Sequence, residues 1–297
     1  VLPINTHYQN KAQGIIHDRS STGTTVFIEP LQLVEDGNRL KELQREEEIE
    51  IRKILQEITA LIAQHYYDLI NNLEIFRHLD LLAAKARFSM KFDLNIPVLH
   101  ESGSFHIVNG RHPLLLAKFG KDKVVPLHLK MGEENRGLII TGPNTGGKTV
   151  VMKTVGLLVL MAQCGIPIPA GPSTELPVFR SIWADIGDEQ SLEQSLSTFS
   201  SHMQNIRMIL EKADQHSLIL LDELGSGTDP IEGGALSCAI LQQLHALRST
   251  FIITTHLQEL KLYAYETEGV ENGAMEFDLQ SLQPTFQFSL GLPGQSN

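Results

Sequence analysis

One eight-residue stretch limits this chain more than any other: Gly142-Pro143-Asn144-Thr145-Gly146-Gly147-Lys148-Thr149, which fits the spacing G-x-x-x-x-G-K-[ST]. The apolar run Leu138-Ile139-Ile140 leads into it, and the helical run Val150–Leu160 leads out. Strand, glycine turn and helix in that order demand a sheet that delivers the turn at its edge. Glycine lets backbone N–H groups close around phosphate oxygens without Cβ clashes. The start of the following helix adds partial positive charge. Lys148 is then placed to reach β- and γ-phosphates, the Thr149 hydroxyl to hold Mg²⁺, and Gly142 to Val150 form the ATP-binding segment.

A second segment completes that chemistry. Ser217-Leu218-Ile219-Leu220-Leu221-Asp222-Glu223 reads as a buried parallel strand ending in two acids. Asp222 is expected to hold the metal, and Glu223 to polarise the water that attacks the γ-phosphate. An acidic pair after an apolar strand is common by itself; the glycine loop upstream gives it meaning. Phe251-Ile252-Ile253-Thr254-Thr255-His256 is a further apolar strand ending in histidine. A lone histidine is usually a core or capping residue, but one helix after the acidic pair His256 is expected beside the γ-phosphate or the attacking water. Ser195–Met203 opens a helix that Ser197 or Thr198 would cap, with Met203, Ile206 and Leu210 as its apolar face.

The rest of the chain falls into three patterns. Val1–Pro30 is short and strand-like, with β-type runs Gly14–His17 and Thr24–Ile28 around the polar turn Asp18–Gly23. In Leu31–Phe92, apolar-leaning positions recur from Ile51 through Leu55, Ile58 and Ile62 to Met90 with gaps of four and three. That 3.5-residue period predicts a long helix packed along another helix, about 80 Å if continuous over Asn38–Met90. Asn71-Asn72 is the expected place for a break. From Asn95 onward strands and helices alternate, which predicts a largely parallel sheet with helices on its faces. Strands are expected at Phe105–Val108, Gly137–Thr141, Ser217–Leu221, Thr250–Thr254, Met275–Leu279 and Thr285–Leu290. Helices are expected at Lys148–Cys164, Thr198–Ala213, Gly233–Leu247 and Gln258–Ala264. The organisation is therefore 1–94, a β-hairpin and long helix, followed by 95–297, an α/β P-loop NTPase domain.

Composition sets limits. With 24 Lys and Arg against 35 Asp and Glu the formal charge is −11. No basic cluster marks a phosphate-backbone grip, so any nucleic-acid contact is expected to be local or to come from segments outside this chain. Cys164 and Cys238 lie far apart in apolar helical contexts and read as buried reduced thiols, which suits a cytoplasmic protein. No apolar run reaches the roughly 18 residues a membrane span needs, so no membrane partner is expected. The chain starts without Met and ends on a loop-like stretch, and it reads as a piece of a longer protein.

Taken together these segments resemble the MutS family of ABC-type ATPases. The resemblance rests on Gly142–Thr149, on Ser197-Thr198-Phe199 as that family's version of the signature motif, on Asp222–Thr228 as its acidic pair with D-loop, on Thr255-His256, and on Gly110-Arg111-His112-Pro113-Leu114. The MutS-two branch is the most similar, through Phe199-Ser200-Ser201-His202, Gly227-Thr228-Asp229-Pro230 and His17–Gly23 followed by Phe27-Ile28-Glu29-Pro30. The resemblance implies that 1–94 is the end of a lever and clamp region. It also implies an ATPase homodimer in which Ser197 and Thr198 meet the ATP held by the other subunit, and a C-terminal Smr domain beyond this chain. The partners it implies are double-stranded or branched DNA, with suppression of homologous recombination, or alternatively stalled ribosomes. It leaves the adenine-stacking residue open, between His112 and the stretch Val124–Leu127. A transporter ATPase is excluded by the lack of a Leu-Ser-Gly-Gly-Gln signature, and the intact site residues argue against a vestigial site.

Overall fold

A computed structural model describes residues 1–101, 104–132, 134–187, 195–278 and 283–291, with the backbone alone at 144 and 195–199. The chain divides into two compact units, Val1–Asp80 and Leu81–Asn297. The expected boundary at 94/95 lies past this division, which falls inside a helix.

The first unit starts with three strands, β1 (Leu2–Asn5), β2 (Gly14–Arg19) and β3 (Thr25–Pro30), in the antiparallel order β1-β3-β2. The hairpin anticipated from sequence is β2 and β3, with a register shift between Ile16 and Asp18. Val26 and Ile28 are its buried residues, two apart on one face as the strand period requires. Helix α1 (Leu31–Gln64) follows Pro30 directly, and α2 (Tyr66–Phe92) crosses out of the unit.

The break between these helices corrects the expected site. It falls at His65, whose N–H bonds Ile62 O while its own carbonyl accepts from Leu69 N–H. His65 Nδ1 lies 3.6 Å from Asp68 Oδ2 in the first turn of α2. Asn71 and Asn72 continue α2 without interruption. Asparagine in a helix interior costs only about 0.7 kcal/mol against Ala, too little to break a helix this long. The apolar seam is present but uncovered: Ile51, Leu55, Ile58 and Ile62 are all exposed, so no helix among the described residues packs along it.

The second unit is built on two sheets. The larger contains β7 (Gly137–Thr141), β9 (Ser181–Asp185), β10 (Ser217–Leu221), β11 (Thr250–Thr254), β12 (Val270–Asp278) and β13 (Gln283–Leu290), in the order β13-β12-β7-β11-β10-β9. All are parallel except β13, which pairs antiparallel with β12. The smaller sheet has the order β4-β8-β5-β6, from β4 (Val98–His100), β5 (Phe105–Gly110), β6 (Leu127–Met131) and β8 (Glu175–Pro177). The helices are α3 (Pro113–Phe119), α4 (Lys148–Gln163), α5 (Ser195–Lys212), α6 (Pro230–Ala246) and α7 (Gln258–Glu266).

Strand alternation sorts the core into two layers. Leu138, Ile140, Leu218, Leu220 and Ile252 face α4 and the smaller sheet. Ile139, Ile219, Leu221 and Ile253 face α5, α6 and α7. Successive residues of β7 and β10 thus bury on opposite sides, which is why those strands read as continuous apolar runs. Helix α4 leaves β7 on one face and α7 leaves β11 on the other. The carboxyl ends of these neighbouring strands therefore frame a crevice, the usual ligand position in such sheets.

Several bounds differ from expectation. Helix α6 starts at Pro230 because Asp229 caps it, accepting from the N–H groups of Ile231 and Glu232. Strand β12 starts at Val270, five residues earlier than expected, and the last residue of the expected strand, Leu279, lies outside the described residues. Cys164 is exposed, not buried, because it sits past the last turn of α4 as its C-cap; Cys238 is half-buried, and both are free thiols.

Candidate nucleotide site

Four strands of the larger sheet deliver their carboxyl ends to one edge: β7 into Gly142, β9 at Asp185, β10 into Asp222 and β11 into Thr255. Parallel pairing alone puts the glycine loop and the acidic pair side by side. Gly147 caps α4 with φ +95°, a left-handed conformation that costs a side-chain-bearing residue about 1 kcal/mol or more. Gly142, at φ +125°, turns the chain out of β7.

Lys148 is 3% exposed, and its Nζ donates to Gly142 O at 2.7 Å. Burial pushes its ammonium pKa down, Glu223 and Asp222 pull it back up, and Lys261 lowers it further. The loop is thus closed on itself by its own lysine, with both acids within electrostatic reach. Thr149 Oγ1 donates to Asp222 Oδ1 at 3.1 Å. The same carboxylate oxygen takes a short hydrogen bond from Thr254 Oγ1. Thr254 also accepts from Glu223 N–H at 2.9 Å. One hydroxyl on β11 thereby fixes both members of the acidic pair.

Glu223 has φ +48°, rare for a residue with a side chain. Its backbone is held by Thr254 and by Ser226 N–H, which donates to Glu223 O at 3.0 Å. Such strain costs on the order of 1–3 kcal/mol and persists where surroundings over-determine it. The loops after β10 and β11 are stitched together by Leu224 N–H to Thr254 O and Thr255 Oγ1 to Leu224 O. His256 follows on that stitched loop and is exposed. The side chains of Asn144, Ser197 and Thr198 lie outside the described residues; the backbone at 197 and 198 belongs to the first turn of α5.

Beside the glycine loop lies a cavity of about 250 Å³, walled by His112, Phe119, Val125, Val151, Met275 and Phe286 among others. It includes His112 and all of Val124–Leu127, between which the sequence left the choice open. Phe119, Met275 and Phe286 were not anticipated. They come from α3, β12 and β13, and no local motif connects them with the loop. His112 is 9% exposed, and its Nδ1 is sealed without a hydrogen-bond partner. Burial, and secondly Lys153, push its pKa down.

Thr149 and Asp222 offer two hard oxygen donors that converge. This suits Mg²⁺, which takes one or two protein oxygens and completes its shell with water and phosphate.

MutS domain V matches residues 138–296, from the middle of β7 almost to the end of the chain. This chain belongs to the MutS family. Its relatives lie in the MutS2 branch: it is 50% identical over all 297 residues to the Endonuclease MutS2 of Caldanaerobacter subterraneus subsp. tengcongensis. It is also 50% identical over its whole length to the proteins of that name from Alkaliphilus oremlandii and Halothermothrix orenii. In each case the chain spans 37% of the relative's length. In this MutS chain no helix among the described residues is long and apolar enough to cross a membrane.

Proposed function

We propose that residues 95–297 form an ABC-type P-loop ATPase that works as a homodimer. The carrying observation is the bond from Thr149 to Asp222, which joins the glycine loop and the acidic strand into one site. Lys148 would neutralise charge on the β- and γ-phosphates, and the N–H groups of Gly142–Val150 would orient them. Thr149 and Asp222 would hold Mg²⁺, which when bound would supply positive charge to offset that of the phosphates. Glu223, fixed by Thr254 and strained, would take the proton of the attacking water. His256, on the loop stitched to Glu223, would orient that water or contact the γ-phosphate. The apolar cavity beside Gly147 would receive the adenine, with Phe119 and Phe286 presenting flat faces to it.

Ser197 and Thr198 would approach the nucleotide of the second subunit, so that ATP closes the dimer and hydrolysis opens it. Residues 1–94 would serve as the end of a lever and clamp that carries this motion to branched or recombining DNA, limiting recombination. Any nuclease activity of the kind named in Endonuclease MutS2 would belong to a domain other than this ATPase.

The test is steady-state phosphate release with Mg²⁺-ATP, alongside sedimentation with and without nucleotide. Turnover that depends on Glu223, with ATP-driven dimers that bind four-way junctions, is expected. Hydrolysis at full rate by strictly monomeric protein would remove the across-subunit role of Ser197. Retention on ribosomes without affinity for junctions would remove DNA as the target.

A further inference from the structure

Asp185 ends β9, the edge strand, and pairs in register with Leu221 at the end of β10. Its carbonyl accepts from Asp222 N–H at 3.0 Å. The residue is 7% exposed, and its carboxylate is shared by two residues of α5: His202 Nδ1 donates to Oδ2 at 2.6 Å, and Asn205 Nδ2 donates to Oδ1 at 3.1 Å. A single residue therefore bonds the metal-side acid through its backbone and the signature helix through its side chain.

The placement asks for an explanation. His202, Asn205, Ile206 and Ile209 lie on one face of α5, at spacings of three, four and seven. Ile206 and Ile209 already bury that face against the sheet. An apolar side chain at 185 would continue the packing without desolvating a carboxylate, which is costly unless paired. What the hydrogen-bonded arrangement adds is direction. Two donors of fixed geometry on successive turns hold α5 at one rotation and one axial position relative to the end of β10. Apolar packing tolerates sliding; a carboxylate shared between two oriented donors does not.

We propose that Asp185 is a positioning residue: together with His202 and Asn205 it transmits the state of Asp222 to the helix that carries Ser197. This rests on the ATPase reading above. The bond between Asp185 and α5 sets where Ser197 stands for the partner subunit, while nucleotide binding within the subunit uses other residues. Loss of the bond therefore separates binding from turnover.

The experiment compares Asp185→Leu, His202→Phe and His202→Asn in the full chain. At position 202 Asn places an N–H donor close to the position of imidazole Nδ1, whereas Phe keeps the ring and removes the donor; Leu at 185 keeps the volume and removes both acceptor oxygens. Affinity for Mg²⁺-ATP, kcat and the melting temperature are measured for each. Asp185→Leu and His202→Phe are expected to bind ATP within about 3-fold of the parent while kcat falls about 10-fold or more, as misplacement of a remote group does. His202→Asn is expected to recover kcat to within about 3-fold of the parent, since an oriented donor is restored. Unchanged kcat in Asp185→Leu and His202→Phe overturns the proposal. So does parallel loss of ATP affinity and melting temperature, which marks plain structural support, and so does a His202→Asn variant no better than His202→Phe. A parent protein that fails to bind ATP at all is a different failure: it removes the ATPase reading itself.

Discussion

The carboxyl edge of the large sheet and the seam of α1 present opposite ways of using apolar sequence. At the sheet edge, apolar residues are spent on burial: Leu138, Ile139, Ile140, Leu218 and Ile219 are all 0% exposed, and the polar residues that follow them are tied to one another. Along α1, residues of the same kinds recur with helical period and stay exposed, from 50% at Ile58 to 58% at Leu55. Burial converts apolar area into rigidity, and rigidity holds Thr149, Asp222, Glu223 and Thr254 at hydrogen-bonding distance. Exposure leaves the helix stabilised by its own backbone and local pairs such as Arg39–Glu42. Chemistry can be read from the first region alone; the second carries a pattern whose partner is not among the described residues.

The largest effect that separates the two regions is chemical. Lys148→Ala should lower ATP turnover by about 100-fold or more, because one preorganised electrostatic contact is worth that much. Ile58→Ser on the exposed seam should leave turnover of the same protein unchanged. If both substitutions act alike in a phosphate-release assay, the division of labour is wrong. Next, Glu223→Gln should slow hydrolysis by about 100-fold while ATP still binds, the usual magnitude for a lost general base. Normal single-turnover kinetics in that variant would remove Glu223 from its role.

Stability should divide in the same way. Leu220→Ala, in the buried layer against α4, should cost about 2–5 kcal/mol in urea unfolding. Ile58→Ala should stay within about 0.5 kcal/mol, as exposed substitutions do. Equal costs would mean that the seam is covered in solution. The smallest effect concerns His112. Its pKa is lowered in the folded protein, so the unfolded chain takes up its proton first as pH falls. That contribution to stability is present above the unfolded value, about 6.5, and is lost progressively at lower pH. His112→Gln should flatten the pH dependence of the melting temperature below that point; an unaltered slope would show that folding does not lower this pKa.

How much of this was legible in the sequence follows from burial on two faces or one. Strands β7, β10 and β11 were readable to the residue because both faces are buried and each ends in a change of chemistry. Strand β6 alternates, with Leu127, Leu129 and Met131 buried and His128 and Lys130 exposed, a period-two signal that was available but short. Strand β9 sits at the sheet edge, and its Ser181-Ile182-Trp183-Ala184-Asp185 has no run to announce it. That is why Asp185 escaped notice although His202 stood within a recognised motif. Thr254 was visible only as the last residue of an apolar strand. Its role comes from the register that sets β11 beside both β7 and β10, a non-local fact. The cavity wall from Phe119, Met275 and Phe286 is non-local for the same reason. The helix break falls at His65 and not at the asparagine pair, because Asn71 and Asn72 keep the helical backbone and continue α2 without interruption.

The account stands or falls on whether the glycine loop and Asp222 hold one magnesium-nucleotide. A titration of fluorescent ATP into the protein, with Mg²⁺ and then with EDTA, and repeated for Lys148→Ala and Asp222→Ala, tests this most directly. Saturable binding at one site per chain, weakened by EDTA and lost in Lys148→Ala, is the expected result. Binding that ignores Mg²⁺ and both substitutions, or no binding at millimolar nucleotide, would contradict it.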